Sequence, residues 1–239
     1  MKLMKITERQ KSILDKIIQE YIDSARPVSS KLLEKKYHFG IRPAMIRIEM
    51  QKLTDQGFLF QPHTSAGRAP TDKAYRFFVN KLLENETPEF KEIFKIEEIF
   101  QETRKDILRW ASQLTQFLAE ESSNFAILHL LERDLFWKEG WEEILREPEF
   151  EEKDLLFSFT EFLENFEKNI KNLKINSKIK VYIGKENPFP KGKNFSIISS
   201  KCCFPDVGEG VVSLLGPKRM AYDRNIWLIE SLLKILERY

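Results

Sequence analysis

A basic stretch at residues 41–71 constrains the fold of this chain more than any other part of it. Pro43 suits the first position of a helix, where its missing N–H costs nothing, and Gly57 suits the residue that ends one. Between them, apolar residues recur at i, i+4 and i+7 and predict one buried stripe. These residues are Ile46, Met50 and Leu53. The sequence therefore predicts a helix that buries one face and leaves the other face free for a partner.

A hairpin is predicted directly after this helix. Residues 58–61 are apolar enough for a short strand, the turn-forming residues 62–68 follow, and Ala69-Pro70 leads back. Arg68 is expected at the tip of the hairpin. A helix with a free polar face, followed at once by a basic hairpin, is typical of a winged-helix protein that binds double-stranded DNA.

Two further helices are predicted before this stretch. Thr7 and Gln10 have the spacing of a capping box, so the first helix begins there, and it ends before Pro27. Ser29 is placed to cap a second, short helix at about residues 30–37. Helix, short helix, turn and reading helix in succession predict a helix-turn-helix.

Long polar side chains on the free face of the reading helix suit the base edges of a major groove. Arg47 carries a planar fork that fits guanine O6 and N7, and the alternative is a surface ion pair in the row of Glu49 and Gln51. Ile48 either packs against the hairpin, which is the interpretation we favour, or contacts a thymine methyl. The helix residues that we expect at the DNA are Arg42, Met45, Arg47, Ile48 and Gln51.

The hairpin adds a second set of predicted DNA contacts. These are His63, Thr64, Ser65, Gly67 and Arg68. Gly67 is expected to let the backbone approach the sugar-phosphate chain, and Arg68 to touch phosphate or enter a minor groove. His63 lies among turn-forming residues with no Cys, His or carboxylate cluster at ligand spacing, so we favour turn hydrogen bonding over a metal role. No metal site is predicted.

Composition is compatible with a cytoplasmic protein. The 239 residues, 42% of them apolar, suffice for a sizeable core in one or two domains. The sequence has no apolar run of 18 residues and its N-terminus lacks the features of a signal peptide, so neither a membrane span nor export is expected. Cys202 and Cys203 are adjacent and fit neither a disulfide framework nor a zinc spacing, which indicates a reduced cytosol.

The net charge of +2 conceals a division along the chain. Residues 1–85 hold 16 Lys and Arg against 9 Asp and Glu, whereas residues 86–239 hold 23 against 28. A basic excess confined to the first part is the electrostatic pattern of nucleic-acid binding, although a solvated basic face without a partner would give the same count.

Three patterns of the first domain carry a family resemblance. They are Q-P-H-T-S-A-G-R-x-P-T-D-K at Gln61–Lys73, P-A-x-I-R-x-E-M at Pro43–Met50 and P-V-x-S-x-x-L-x-x-x-Y at Pro27–Tyr37. Together they are similar to the family of the heat-inducible transcription repressor HrcA. The resemblance implies a cytoplasmic repressor that binds an inverted-repeat operator upstream of chaperone genes and is kept active by the chaperonin. The chain has Arg42, Met45 and Ile48 where the family usually has Ser, Thr and Asn, so the resemblance carries no operator contacts at these positions.

The rest of the chain predicts an α+β domain with a small sheet. A long helical stretch at about residues 90–121 has a heptad-like seam that faces either the second domain or a partner chain. Its members are Ile93, Ile96, Phe100, Thr103, Ile107, Trp110, Leu114 and Phe117. Strands are predicted at residues 125–128, 179–183, 195–199 and 210–215, and helices at residues 137–145, 155–173 and 223–237. The predicted domains are a winged-helix domain at 1–85, a helical linker at 86–122 and the α+β domain at 123–239, with the first boundary near residues 85–88.

Patterns in the second half are similar to the GAF-like domain of the same family. They are E-P-E-F at 147–150, V-Y-I-G-K-E-N-P at 181–188 and G-P-K-R-M-A-Y-D-R at 216–224. Family members carry an inserted dimerisation subdomain that residues 130–147 are too short to hold. The resemblance therefore implies a reduced GAF-like domain and a homodimer that uses another surface. We favour the seam, because the terminal helix is apolar nearly all round and is expected in the core.

Two other functions stay open on the sequence. One is a regulator of the same fold whose GAF-like part binds a small molecule. The other is an enzyme with Cys202 or Cys203 as nucleophile and His129 in the same half of the chain, but nothing orients a base. No catalytic residue and no cofactor are predicted.

Overall fold

The computed structural model describes residues 6–84, 93–103, 106–173, 175, 177–205 and 207–238. The chain divides into two compact units, Met1–Glu84 and Asn85–Tyr239. The predicted boundary at residues 85–88 lies outside the described residues.

The first unit consists of helices and a short hairpin. Its described elements are α1 (Glu8–Ser24), α2 (Ser30–Lys36), α3 (Pro43–Asp55), β1 (Leu59–Phe60), β2 (Ala69–Pro70) and α4 (Asp72–Glu84). The two strands pair antiparallel, with Leu59 opposite Pro70. Val28, between α1 and α2, forms an isolated antiparallel bridge with Arg68.

The helix starts are those that the sequence predicts. Thr7 and Gln10 form the capping box of α1, and the Ser29 side chain accepts from the backbone N–H of Leu32 at 3.1 Å. Pro43 is in the first turn of α3. Because these local signals agree with the observed elements, the helix boundaries of this unit follow from sequence.

Apolar faces of the helices form the core of the first unit. The buried residues are Ile13, Leu14, Ile17 and Ile18 of α1, Leu33 of α2, Ile46, Met50 and Leu53 of α3, and Ala74, Tyr75, Phe78 and Val79 of α4. The predicted stripe of α3 is thus buried, which fixes the direction of its opposite face.

The second unit contains one antiparallel sheet. Its described helices are α5 (Ile93–Thr103), α6 (Ile107–Ser122), α7 (Trp141–Arg146), α8 (Lys153–Asn169) and α9 (Tyr222–Leu236). Its strands are β3 (Phe125–Leu130), β4 (Leu135–Glu139), β5 (Lys180–Ile183), β6 (Phe195–Phe204) and β7 (Gly208–Pro217). The strand order is β4-β3-β7-β6-β5, and each neighbouring pair is antiparallel.

Helices cover both faces of this sheet. On one face, Phe125 and Ile127 of β3 belong to a core cluster with phenylalanines of α8, and the ring centroids of Phe159 and Phe195 are 5.1 Å apart. Successive strand residues point to opposite faces, so Leu128 points to the side that α6 and α9 cover. The result is a layered α+β unit.

Two of the patterns that resemble the family meet in this unit. The Arg219 guanidinium binds the carboxylates of both Glu147 and Glu149, with Nη2 2.9 Å from Glu149 Oε2. Arg219 is buried, whereas the side chains of Glu147 and Glu149 are partly exposed. This ion cluster joins the segment before α8 to the turn before α9.

The helix predicted at residues 137–145 is wrong in its first half. Leu135–Glu139 is the strand β4, whose Trp137 lies opposite Leu128 of β3, and the helix α7 begins only at Trp141. Asp134 adopts a positive φ of 53° in the turn, which closes the hairpin between β3 and β4. Pairing along the whole edge of β3 outweighs the local helical pattern.

The long helix predicted at residues 90–121 is two helices, α5 and α6. Most described members of the predicted seam are buried inside the second unit, against α9 and the sheet. They are Ile96, Phe100, Trp110, Leu114 and Phe117, while the side chains of Ile93 and Thr103 lie outside the described residues. The segment expected to be a linker is therefore part of the second unit, and the seam is not a surface for a partner chain.

Candidate nucleic-acid interface

The face of α3 opposite its buried stripe is exposed. Arg42 precedes the helix without making a side-chain cap, and it is exposed together with the other predicted contact residues of the helix. These residues are Met45, Arg47, Ile48 and Gln51. Ile48 keeps 46% of its surface exposed, so about half of its side chain is open to a partner whether or not it touches the hairpin.

Arg47 has no hydrogen-bond or ion-pair partner among the residues that the structure describes. Its proposed alternative partner, Glu49, is buried and accepts hydrogen bonds from Gln10 Nε2 at 2.8 Å and Lys52 Nζ at 3.0 Å. The ion-pair alternative for Arg47 is therefore wrong. The Arg47 guanidinium is available to an external acceptor.

Glu49 anchors α3 to the first turn of α1. Burial alone would raise the pKa of Glu49, but hydrogen bonds from Lys52 and Gln10 outweigh burial and hold the pKa below its ordinary value. Gln10 also completes the capping box of α1. One carboxylate thus fixes the position of α3 from its buried side, a role that the sequence did not reveal.

Glu20 joins α1 to the end of α2 in a similar way. Lys36 Nζ lies 2.8 Å from each Glu20 oxygen, and the Tyr37 hydroxyl donates to Glu20 Oε1 at 2.6 Å. Burial would raise the pKa of Glu20, but the bonds from Lys36 and Tyr37 outweigh burial and lower it. The hydrogen bond to Glu20 raises the pKa of Tyr37 to about 12. This clamp sets the angle between the first two helices.

Arg68 lies at the base of the hairpin rather than at its tip. Its backbone exchanges two hydrogen bonds of 2.8 Å with Val28, and its side chain reaches back to α3. There, Arg68 Nε donates to Thr54 Oγ1 at 3.1 Å and Nη2 donates to Gln51 Oε1 at 2.9 Å. Gln51 in turn donates to Asp55 at 2.8 Å. The predicted reading residue Gln51 is therefore part of a network that ties the hairpin to α3.

The fold of the first unit requires a glycine at position 67, independently of any DNA contact. A Cβ at this position would lie 2.3 Å from the carbonyl oxygen of Val28, well inside van der Waals contact. The close approach that we predicted for Gly67 is thus made to the Val28 backbone. The absence of a side chain at Gly67 permits the bridge between Val28 and Arg68.

The loop of the hairpin holds the three remaining predicted contacts. His63, Thr64 and Ser65 are exposed, and the His63 carbonyl accepts from the Ala66 N–H at 2.9 Å, as expected for a turn. Gln61 Nε2 donates to the carbonyls of Thr64 at 2.8 Å and of Ala66 at 2.9 Å. Gln61 braces this loop, and sequence reasoning missed it because an amide that spans its own loop carries no motif.

A groove of about 460 Å³ separates α3 from this loop. Its walls are Arg47 and Met50 on one side, residues 64–68 on the other, and Ser29 and Ser30 at one end. The groove brings together Arg47, Thr64, Ser65, Gly67 and Arg68 of the predicted contacts. The hydroxyl and backbone groups on the loop side of this groove suit a phosphate backbone.

Of the two cysteines considered as nucleophile, Cys202 is buried and Cys203 is exposed. Burial raises the pKa of Cys202 to about 12, so the nucleophilic thiolate is disfavoured. His129 is fully buried, stacks on Phe136 and has Nε2 3.0 Å from Asp134 Oδ1. The described residues contain no group of three or more His, Cys, Asp or Glu side chains placed to hold a metal ion.

A cavity of about 230 Å³ lies in the second unit. Its lining residues are Phe100, Gln101, Ile107, Trp110, Phe204, Pro205 and Val207. The volume is below the range of about 300–1,000 Å³ that is usual for small-molecule sites, so it does not favour a ligand-responsive regulator. None of the described helices combines the length and the apolar character needed to span a bilayer.

A helical unit that exposes one helix face beside a hairpin, joined to a separate α+β unit, has the organisation of a transcription regulator. The model of the HrcA protein C terminal domain matches residues 63–226, which is more than half of the chain. The chain therefore belongs to the HrcA family. The family resemblance seen in the sequence is confirmed, and the members named below are transcription repressors rather than enzymes.

Individual relatives agree with this assignment. The heat-inducible transcription repressor HrcA of Thermodesulfovibrio yellowstonii is 25% identical over 341 aligned residues, covering 98% of this chain and 97% of the relative. The HrcA of Alkaliphilus metalliredigens is 53% identical over 83 residues, 35% of this chain and 24% of the relative. Because 239 residues cannot fill 341 aligned positions, the first relative carries segments that this chain lacks.

One solved structure shows the same fold along the whole chain. It is described as the crystal structure of a hypothetical protein at 2.2 Å resolution, with a TM-score of 0.78 and 21% sequence identity. The similarity covers 99% of this chain and 98% of the solved chain. The mixed α+β architecture is thus shared with an experimentally determined structure.

Proposed function

We propose that the first unit is a winged helix-turn-helix domain and that it binds an inverted-repeat operator of chaperone genes. The observation that carries this proposal is the exposed face of α3, with the partnerless Arg47, beside a hairpin that Arg68 ties to the helix. A reading helix and a wing must keep a fixed mutual position to meet one duplex.

The pairing of Val28 with Arg68 supports the winged-helix interpretation. It adds a third extended segment, from between α1 and α2, to the hairpin of β1 and β2. The hairpin is thereby tied to the helix-turn-helix at two places, through the Val28 backbone and through α3. Such bracing suits a wing, which contacts DNA while the helices stay in place.

The distribution of charge along the chain supports a negatively charged partner such as DNA. The net charge of residues 1–85 is +7, whereas that of residues 86–239 is −5. Arg42 and Arg47 are exposed at the start of α3, and the groove beside it is lined by Arg68. In this arrangement, Arg47 donates to a guanine edge in the major groove, while the loop residues His63, Thr64 and Ser65 contact the phosphate backbone.

The remaining features of the proposal come from the family. The second unit is a reduced GAF-like domain, the protein acts as a homodimer in the cytoplasm, and the chaperonin modulates it. Family membership supports these points, and a two-fold operator is best read by a two-fold protein. Since the predicted seam is buried within its own unit, another surface joins the two chains.

A salt titration tests the proposal. The full chain should bind a duplex with the inverted repeat found upstream of chaperonin genes in the source genome, and more tightly than a scrambled duplex of equal length. The logarithm of the binding constant should fall linearly with the logarithm of salt concentration, because basic side chains release counterions from phosphate. Equal binding to both duplexes at every salt concentration, or binding without salt dependence, would remove the repressor interpretation.

A further inference from the structure

The N-terminal half of α3 exposes apolar side chains at the centre of its outer face. Opposite the buried Ile46 and Leu53, helical spacing places Ala44 and Ile48 on one line, with Met45 beside them. Met45 is 40% exposed and Ile48 is 46% exposed. We call Ala44, Met45 and Ile48 the apolar triad.

Two polar side chains in the second half of the exposed face, Gln51 and Lys52, are engaged within the protein. Gln51 uses its carbonyl for Arg68 and its amide for Asp55. Lys52 binds Glu49. A glutamine that reads adenine needs both ends of its amide, so Gln51 reads a base only by giving up two internal hydrogen bonds. The centre of the outer face is therefore apolar in its chemistry.

We propose that the apolar triad reads thymine methyl groups in the major groove. This inference rests on the proposed operator binding and specifies its chemistry. The residues at the start of a recognition helix are those that contact base edges, and the C5 methyl of thymine is the apolar group exposed there. Exposed Arg42 and Arg47 flank the triad, so the surface combines apolar contact with positive charge and fits duplex DNA.

The test uses the full chain and the duplex that binds most tightly in an in vitro selection. Each thymine is replaced in turn by uracil, which keeps base pairing and removes the methyl group. At one or more positions per half-site, the affinity should fall about fourfold, the equivalent of about 0.8 kcal/mol for one buried methyl-sized group. In the Ile48→Ala variant, the same replacement should cost little or nothing at the thymine that Ile48 contacts.

Leu83→Ala provides the matched control, because Leu83 is 40% exposed on α4 and loses the same kind of side chain. In this variant, replacing thymine by uracil should lower the affinity as much as it does in the wild-type protein. Selective binding with no uracil-sensitive thymine, or with an equal penalty in wild type and Ile48→Ala, overturns the inference and leaves operator binding intact. Failure of the chain to prefer any duplex over scrambled DNA overturns both.

Discussion

Glu20 shows how single residues fix the geometry of the first unit. It is buried, yet three donor contacts from Lys36 and Tyr37 keep its pKa below the ordinary glutamate value of 4.5. A carboxyl whose pKa is lowered in the folded state stabilises that state above the unfolded pKa, and the contribution is lost as the pH falls through the folded pKa.

We therefore expect Glu20→Gln to destabilise the first unit by about 2 kcal/mol at pH 7, since Lys36 and Tyr37 lose a charged acceptor that is itself buried. The difference from wild type should shrink as the pH falls below the unfolded pKa of 4.5, and it should be lost once the pH is below the lowered folded pKa, where the wild-type carboxyl is protonated in both states. Thermal unfolding followed by circular dichroism measures the effect. All 4 tryptophans lie in the second unit, so tryptophan fluorescence should not shift.

Glu8→Gln is the control for Glu20→Gln. Glu8 also binds a lysine, Lys11, but its side chain is 89% exposed, and such surface pairs contribute little. Equal destabilisation by the two variants, or a Glu20 effect that persists at low pH, would contradict the assigned role of Glu20.

Arg47 is the residue whose contribution to base preference is most directly testable. Arg47→Ala should cost about 1–3 kcal/mol of binding and relax the preference at one base pair per half-site. Arg47→Lys keeps the charge and loses the planar fork, so it should recover affinity but not preference. In vitro selection with each variant measures this, and an unchanged base preference in Arg47→Ala would show that Arg47 does not read bases.

The sequence predicts which residues of the candidate site are exposed, but it does not predict which contacts they make within the protein. Arg47 and Ile48 follow from the buried stripe of α3, because a helix that buries one face must expose the other. Gln51, Gly67 and Arg68 were predicted as DNA contacts, and in the structure each makes contacts within the protein. Those partners, such as Val28, are distant in sequence, and nothing local predicts which distant backbone segment will approach.

At the scale of elements, the hairpin depends on its tie to α3. Arg68→Ala removes the bonds to Thr54 and Gln51 and should weaken binding to all duplexes to a similar extent, since the wing loses its fixed position. Hydrogen exchange of the amides in residues 61–70 should become faster. Competition binding and exchange mass spectrometry measure the two effects.

Thr54→Val separates this positioning role from a direct phosphate contact. It removes the acceptor of Arg68 Nε and keeps the arginine charge. We expect a weaker form of the Arg68→Ala phenotype. A normal Thr54→Val protein beside a defective Arg68→Ala protein would instead indicate that Arg68 acts through its charge at the DNA.

The elements themselves were predictable where local signals decide them. Capping residues, proline positions and the spacing of apolar residues predict the helices of the first unit. Residues 137–139 were assigned to a helix because their composition fits one, whereas pairing of β4 with β3 is non-local and is decided by the sheet. The sequence between α5 and α6 contains no glycine or proline, so no local signal predicts that the helix is interrupted there.

At the scale of the whole molecule, α6 is part of the core of the second unit. Leu114 is fully buried, so Leu114→Asp should destabilise this unit by more than about 3 kcal/mol, because it buries a charge where an apolar side chain was. Leu108→Asp on the same helix, at a site 59% exposed, should have little effect. Urea unfolding followed by tryptophan fluorescence compares the two variants. If the Leu114→Asp protein stays folded but changes its oligomeric state, the seam contacts a partner chain and is not simply part of the core.

In the proposed complex, the outer face of α3 meets the bases of an operator. A photoreactive amino acid in place of Ile48, with the same group in place of Leu83 as control, tests this claim on the full chain bound to an inverted-repeat duplex. We expect cross-links from position 48 to bases at two symmetric positions, one per half-site, and no cross-link to bases from position 83. Absence of base cross-links from position 48, or equal cross-linking from position 83, would show that the outer face of α3 does not meet the bases.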